Sequence, residues 1–397
     1  MRIVLFSFYF SPDLCAGSFR CTALVEQLKA LDVDVDVITT MPNRYASFAA
    51  QAPAFEEQGR VRIHRIALPS HKSGMADQIK AFKAYYQAAF RLIDGRQYDV
   101  VVGTSSRLFT AFLASRVARA RKLPLYLDIR DIFVDTIKDV LPKKISRVSK
   151  PVFELIEKYT FRRAGRINLV SAGFAEYFQT RYPQCDYRYF TNGIDQEFLD
   201  AAPTNQGLPQ AATPRESGTP IRVLYAGNIG EGQGLHTIVP QLSAALGPSV
   251  LFRVIGDGGR LAQLQQAVSG NAAVELLPPM DRSQLIAEYQ AADVLFLHLN
   301  DYPAFTKVLP SKIFEYAALG KPMLAGVSGY AAKFLAEHVN NCGVFHPSDV
   351  NGAVNAFSTL QLQDTPRHEF IQRFDRHVIM QQMAADIVEF ASNGGFR

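Results

Sequence analysis

The chain has 397 residues, 48% of them hydrophobic and 20% charged, as expected of a soluble globular protein with two full cores. No apolar run is long enough to span a membrane, and Ile3–Phe10, with an arginine before it and a proline soon after, reads as a buried strand and not a signal peptide. The net charge of +5 hides an asymmetry: residues 1–195 hold 29 Lys+Arg against 19 Asp+Glu, and the remainder holds 13 against 18. A basic first half favours an anionic partner there. No RNP-like aromatic motif or metal finger accompanies the charge, so nucleic acid is not expected.

In the first half, strands alternate with helices. Strands are expected at Ile3–Ser7, Val35–Thr39, Val61–Ile66, Val100–Gly103, Leu125–Ile129 and Ile167–Val170. Helical spacing of apolar residues marks Phe19–Leu31, Ala76–Ile93, Leu108–Arg121, Ile145–Ala164 and Gly173–Arg181. Met41–Gly59 reads as a loop. Repeated β-α units imply a parallel sheet with ligands at the carboxyl ends of its strands.

Residues 201–220 lack aromatics and are rich in Pro, Gly, Thr and Ala, as in a linker. The alternation then restarts. Strands are expected at Ile221–Ala226, Val250–Ile255, Val274–Leu277, Val294–Leu297 and Met323–Ala325, with helices at Leu235–Ala245, Arg260–Val268 and Ser283–Ala291. The predicted organisation is a first domain over 1–200, a linker over 201–220 and a second domain over 221–369. A single C-terminal helical segment over 370–397 is expected to pack back on the first domain. Two doubly wound domains would face a cleft.

Chemistry is expected at the strand ends. The turn from Ser11 to Ser18 can aim amides at a phosphate, with Gly17 its one glycine. Gly227-Asn228-Ile229-Gly230 follows the first strand of the second domain but lacks the full dinucleotide fingerprint. Gly256-Asp257-Gly258-Gly259 is a tight turn, equally readable as a plain β-α connection. In Val308–Pro322, Pro310-Ser311 reads as a helix start capped by Ser311, and Gly320 and Pro322 as its stop. Ile313, Phe314, Ala317 and Ala318 share the face expected to pack on a sheet. Lys312 and Glu315 share the opposite one, leaving a cation and a free carboxylate beside helix amides that suit phosphate and a ribose diol. An ordinary exposed Lys–Glu pair is the alternative.

These motifs in order resemble the group 1, family-4 retaining glycosyltransferases of the GT-B fold. They are the Gly227 turn, Ile255-Gly256-Asp257-Gly258-Gly259, the run Ala291–Leu297, the 308–322 stretch, and Asn192-Gly193-Ile194-Asp195. Leu127-Asp128-Ile129-Arg130-Asp131 is similar to the form found in aminosugar transferases, such as N-acetylfucosamine transferases, of bacterial surface-polysaccharide assembly. The resemblance implies an α/β GT-B architecture of two Rossmann-like domains and transfer with retention from a nucleotide-diphosphate sugar, with UDP expected. The acceptor it implies is lipid-linked or an oligosaccharide, at the cytoplasmic face of the inner membrane.

By the same resemblance, Glu315 holds the nucleotide ribose. Amides around Leu309, Pro310, Ser311 and Lys312 hold the diphosphate. Gly17 and Gly227 belong to the glycine loops, and Gly256 and Asp257 lie near the base. This chain departs from the pattern at three places. Lys307 stands where the family's first glutamate falls, Asn228 and Gln233 stand where its diphosphate-holding Arg and Lys fall, and Thr104-Ser105-Ser106-Arg107 replaces its histidine region. Phosphate neutralisation is therefore expected to have moved towards Lys312 and Lys307. Asp131 is the candidate for orienting or deprotonating the acceptor, with Asp128 behind it; an ion pair with Arg130 or Arg107 is the competing use of Asp131. No cofactor beyond the donor is implied.

The four cysteines (Cys15, Cys21, Cys185, Cys342) and the histidines show no ligand spacing, which points to a reducing compartment and implies no metal. Lys138–Arg166 carries nine Lys+Arg and three acids, with Lys143, Lys144, Arg147 and Lys150 close together. That composition suits a helix on an anionic membrane, or a solvated basic helix over the core. Two other functions compete: a UDP-sugar epimerase of similar fold, and a non-catalytic nucleotide-sugar-binding protein derived from a transferase.

Overall fold

A computed structural model describes residues 1–43, 51–69, 75–105, 108–132, 134, 143–203 and 218–395. The chain divides into two units, one of Met1–Asn192 with the stretch from Arg376 onward, the other of Gly193–Asp375.

In the first unit the elements are β1 (Arg2–Phe6), α1 (Ala16–Ala30), β2 (Asp34–Thr40), β3 (Phe55–Gln58), β4 (Val61–Ile66), α2 (Met75–Leu92) and β5 (Val100–Thr104). There follow α3 (Leu108–Arg121), β6 (Leu125–Ile129), α4 (Lys143–Phe161), β7 (Arg166–Leu169), α5 (Ala175–Arg181) and β8 (Asp186–Arg188). The strands form one sheet in the order β3-β4-β2-β1-β5-β6-β7-β8. All its pairings are parallel except β3 with β4. Its central strands are buried along nearly their whole length, because helices cover both faces of such a sheet. The order turns back at β1, so the ends of β1 and β5 flank a ligand position of the kind open α/β sheets use. The Met41–Gly59 loop contains β3, an edge strand of sequence FEEQ whose polar residues carry no alternation to read.

In the second unit the elements are α6 (Gln196–Asp200), β9 (Ile221–Asn228), α7 (Leu235–Leu246), β10 (Val250–Asp257), α8 (Leu261–Ala267), β11 (Val274–Leu277), α9 (Arg282–Ala291) and β12 (Val294–His298). A 3-10 turn, Pro303–Lys307, leads to α10 (Lys312–Ala318), β13 (Met323–Gly326), α11 (Gly329–His338), β14 (Cys342–Phe345), α12 (Val350–Ser358) and α13 (His368–Phe374). The parallel sheet runs β11-β10-β9-β12-β13-β14 and reverses at β9. Its core includes Val223, Phe252, Val254, Val294 and Phe296.

The unit boundary falls after Asn192 and not at residue 200, so α6 belongs to the second unit. Most of the expected linker, 204–217, lies outside the described residues. The C-terminal segment is also not one helix. It breaks at Asp375, whose backbone is extended (φ −58°, ψ 121°) and bridges to Ile194. Different partners draw the two halves apart. Phe370 and Phe374 of α13 pack on Phe314, with centroids 6.0 and 5.3 Å away. The next helix, α14 (Arg376–Ser392), packs on the first unit. There Asp386 accepts hydrogen bonds from Tyr126 (3.0 Å), Arg166 (2.7 Å) and Arg188 (2.9 Å).

Candidate functional site

In the second unit the ends of β9 and β10 meet at a pair of glycines. Gly227 and Gly256 stand opposite each other in the β9–β10 register, with Asn228 opposite Asp257. Their φ values are +149° and +148°, and a Cβ on Gly256 would fall 1.8 Å from the Gly227 carbonyl oxygen. Only glycine accepts both demands. Asp257 turns its carboxylate back onto the Gly258 amide (2.7 Å). Asn228 donates to the Gln233 side-chain oxygen (2.8 Å). The two residues at the expected cation positions are thus bound to each other.

The stem of Lys312 lies against Gly227: its Cε is 2.5 Å from where a Gly227 Cβ would stand. Its ammonium lies 3.7 Å from the Glu315 carboxylate and 3.4 Å from the Tyr289 hydroxyl. Two expectations need correction. Ser311 does not cap α10; its own backbone is helical (φ −61°, ψ −28°) and its side chain bonds no helix amide. Nor are Lys312 and Glu315 an ordinary exposed pair, for Glu315 is 8% exposed and lies 3.7 Å from Lys312. The reason is packing on two sides: α13 covers Phe314, and Tyr289 of α9 lies edge-on to Tyr316 (5.3 Å), so α10 is buried from Ile313 to Ala318. Leu309 is buried, Pro310 is half-buried, and Lys307 ends the 3-10 turn before them. Gly320, at φ +70°, ends the helix.

Arg282, which no sequence motif marked, completes this cluster. It makes a short hydrogen bond to Asp195 and lies 3.7 Å from Glu197. Burial works against its charge, but Asp195 and then Glu315 overcome this and raise its pKa. The carboxylate of Glu315 therefore stands under the influence of two cations. The motif Asn192–Asp195 holds only the partner of Arg282. His298 serves the fold. It is fully buried, its Nδ1–H donates to the Gln233 carbonyl (2.7 Å) and its Nε2 accepts from the Ser348 amide (3.1 Å), so the ring fixes the Gly-rich turn in neutral form. Burial lowers its pKa to about 4.

In the first unit, Asp128 is buried and spent on Arg20, which donates to it through Nε (2.8 Å) and Nη2 (3.0 Å); Asn168 donates a third bond (2.7 Å). Burial would raise the Asp128 pKa, but Arg20 outweighs it and the group lies below the ordinary value. Arg20 also donates to the carbonyls of Thr191 (2.6 Å) and Phe190 (2.8 Å). Asp128 is thus held by side chains of its own unit. Asp131, two residues past the end of β6, is half-buried and partnered. Gly17 lies in the first turn of α1, where a Cβ would meet Arg130 Nη1 at 3.0 Å. Ser105 Oγ accepts from the Arg130 amide (2.8 Å), while Ser106 and Arg107 lie outside the described residues.

The basic segment forms α4, but the side chains of Lys143, Lys144 and Arg147 lie outside the described set. Further along it Val152 and Leu155 are 57% and 69% exposed, and Lys150 pairs with Glu154 (3.4 Å). Among the described residues no helix is long and apolar enough to cross a membrane, and no group of three His, Cys, Asp or Glu could hold a metal ion.

Two family models match in succession: the glycosyl transferase 4-like domain over residues 17–193 and glycosyl transferases group 1 over residues 210–376. The Escherichia coli (strain K12) protein WcaI, whose name assigns it to glycosyl transfer in colanic acid biosynthesis, is 23% identical, over 98% of this chain and 100% of its own. Among solved structures, sucrose-phosphate synthase from Thermosynechococcus elongatus superposes with a TM-score of 0.76 at 16% identity, covering 99% of this chain and 100% of that one. Anabaena HepE in complex with UDP gives 0.62 at 16% identity, covering 98% and 100%.

Proposed function

The chain is a glycosyltransferase of the GT-B fold, a glycosyl transferase 4-like domain followed by a group 1 domain, and from that premise we propose its donor, acceptor and chemistry. It moves a sugar, with retention, from a UDP-linked donor to a lipid-linked or oligosaccharide acceptor in bacterial surface-polysaccharide assembly. The observation that carries the donor reading is Lys312 lying against Gly227 with Glu315 beside it. The names of WcaI and of UDP-bound HepE support the pathway and the nucleotide.

In this reading Glu315 accepts hydrogen bonds from the ribose diol, and the amides near Leu309–Lys312 meet the diphosphate. Gly256 and Asp257 border the base, and Lys307 adds charge nearby. The acceptor hydroxyl attacks the anomeric carbon from the face the diphosphate leaves. A carbon–oxygen bond to the acceptor forms, the bond to phosphate breaks with its electron pair, and the acceptor proton passes towards Asp131 or the departing phosphate. Negative charge grows on the leaving group, so Lys312 is worth most in the transition state.

Incubating the protein with isotope-labelled UDP-sugars and bacterial membrane extract tests the reading. Label should enter the lipid fraction, and the product anomer should match the donor's. Isomerised free UDP-sugar, or binding without turnover, would overturn it. The membrane contact rests on the basic composition of α4 and on exposed Val152 and Leu155. Replacing Lys143, Lys144, Arg147 and Lys150 with Gln should reduce sedimentation with anionic vesicles while UDP binding is kept. Wild-type protein that ignores such vesicles at low salt removes the contact.

A further inference from the structure

In the first unit a cavity of about 350 Å3, lined from α4 and α5, has no part in the transfer chemistry. Its floor is acidic. Glu157 of α4 is 3% exposed and accepts hydrogen bonds from the Tyr177 hydroxyl (2.8 and 3.0 Å) and the Tyr182 hydroxyl (3.0 Å). Both tyrosines are buried, so the carboxylate is fixed at depth between two phenols. Such a group accepts hydrogen bonds and donates none; it suits a hydroxyl and repels a second anion.

The mouth has the opposite sign. Lys158, Arg162 and Arg181 are exposed, line the same cavity and form no ion pair among the described residues. The second acid of the lining, Glu154, is held by Lys150 (3.4 Å). Arg181 is already set in place, its guanidinium 3.7 Å over the Tyr177 ring. Three like charges around one concavity reinforce each other's potential and attract an anion.

The adjoining surface favours a lipid over a dissolved anion. Leu155, Lys158 and Arg162 stand at i, i+3 and i+7, one stripe along α4 and its end. Leu155, at 69%, is the most exposed large apolar side chain among the described residues. An apolar side chain in water beside a cationic cavity suits a molecule with a phosphate at one end and hydrocarbon at the other.

We infer that the cavity seats the phosphodiester of an anionic glycerophospholipid with a polyol headgroup, as in phosphatidylglycerol. The phosphate oxygens meet Lys158, Arg162 and Arg181, and a headgroup hydroxyl donates to Glu157. The seat rests on the membrane contact proposed for α4 and narrows that partner to one headgroup chemistry.

Flotation of the full chain tests this with phosphatidylcholine vesicles holding equal fractions of phosphatidylglycerol or phosphatidylserine. The two lipids carry the same net charge, but phosphatidylserine ends in a carboxylate that Glu157 repels. The wild-type chain should bind phosphatidylglycerol vesicles about threefold or more tightly than the others. Lys158→Gln with Arg162→Gln should abolish that preference, whereas Lys143→Gln with Lys144→Gln should weaken both vesicles alike and keep it. Glu157→Gln should raise binding to phosphatidylserine, with thermal midpoints checking the fold; the exposed double variant serves if Glu157→Gln does not fold. Equal binding of the two lipids by wild type overturns the seat and leaves the membrane contact standing. If neither vesicle is bound, calorimetry with glycerophosphoglycerol, the deacylated headgroup, decides. Binding that Lys158→Gln with Arg162→Gln abolishes would keep a phosphodiester seat and remove the membrane contact, and no binding would remove both.

Discussion

Each unit holds an acid–base pair near the carboxyl ends of its parallel strands, and the two pairs are built differently. Arg20 and Asp128 are each 1% exposed at the side chain and joined by a two-point contact at 2.8 and 3.0 Å. Lys312 and Glu315 are 21% and 11% exposed and meet only at 3.7 Å. A dry, bidentate pair has no freedom to exchange partners, so it holds the backbone at Phe190 and Thr191 together. A looser pair at a glycine turn can give up its mutual contact for a ligand. The same residue chemistry thus serves architecture in one unit and is left open to a ligand in the other, as distance and solvent access allow.

The most forceful way to break this comparison is Arg20→Met. It leaves the Asp128 carboxylate buried without its cation and should cost about 3–5 kcal/mol in urea unfolding. A loss below about 1 kcal/mol would mean the pair holds little.

A pH titration of stability probes the second unit at His298. The ordinary imidazole value of 6.5 drops to about 4 on folding, so the unfolded chain binds the extra proton between those values. Stability should be full above about pH 6.5 and fall by roughly 3 kcal/mol as pH approaches 4. His298→Asn should flatten that slope, and an unchanged slope assigns the acid sensitivity elsewhere.

Lys312→Met addresses recognition itself. If the loose pair serves the leaving group, kcat should fall about a hundredfold, or about 3 kcal/mol, with a smaller change in KM. Lys307→Met should do less. Turnover near wild type would shift the burden to another cation.

Smallest of the four is Glu315→Gln, which should weaken UDP binding by about 1–3 kcal/mol while thermal stability hardly changes. Equal affinity in the two proteins would take Glu315 out of the nucleotide site.

The sequence by itself determined the α/β alternation, because buried parallel strands such as Val100–Thr104 must be continuously apolar and helices such as Leu108–Arg121 must repeat near 3.6. It also located the glycine turns and the 308–322 stretch, whose signals are local. Tertiary structure alone decided how the charges are used. That Asp128 belongs to Arg20, 108 positions away, and Asp195 to Arg282, 87 positions away, depends on which strand ends the sheet order brings together. The burial of α10 on both sides was likewise invisible, since its second cover comes from α13, beyond Gly320 and two further strands. The break at Asp375 has the same origin: local helical spacing continues through it, and only the separate partners of Phe374 and Asp386 pull the chain into two helices. Local patterns fix what each segment can be, whereas ion pairing and burial depend on distance in space, which a linear pattern does not carry.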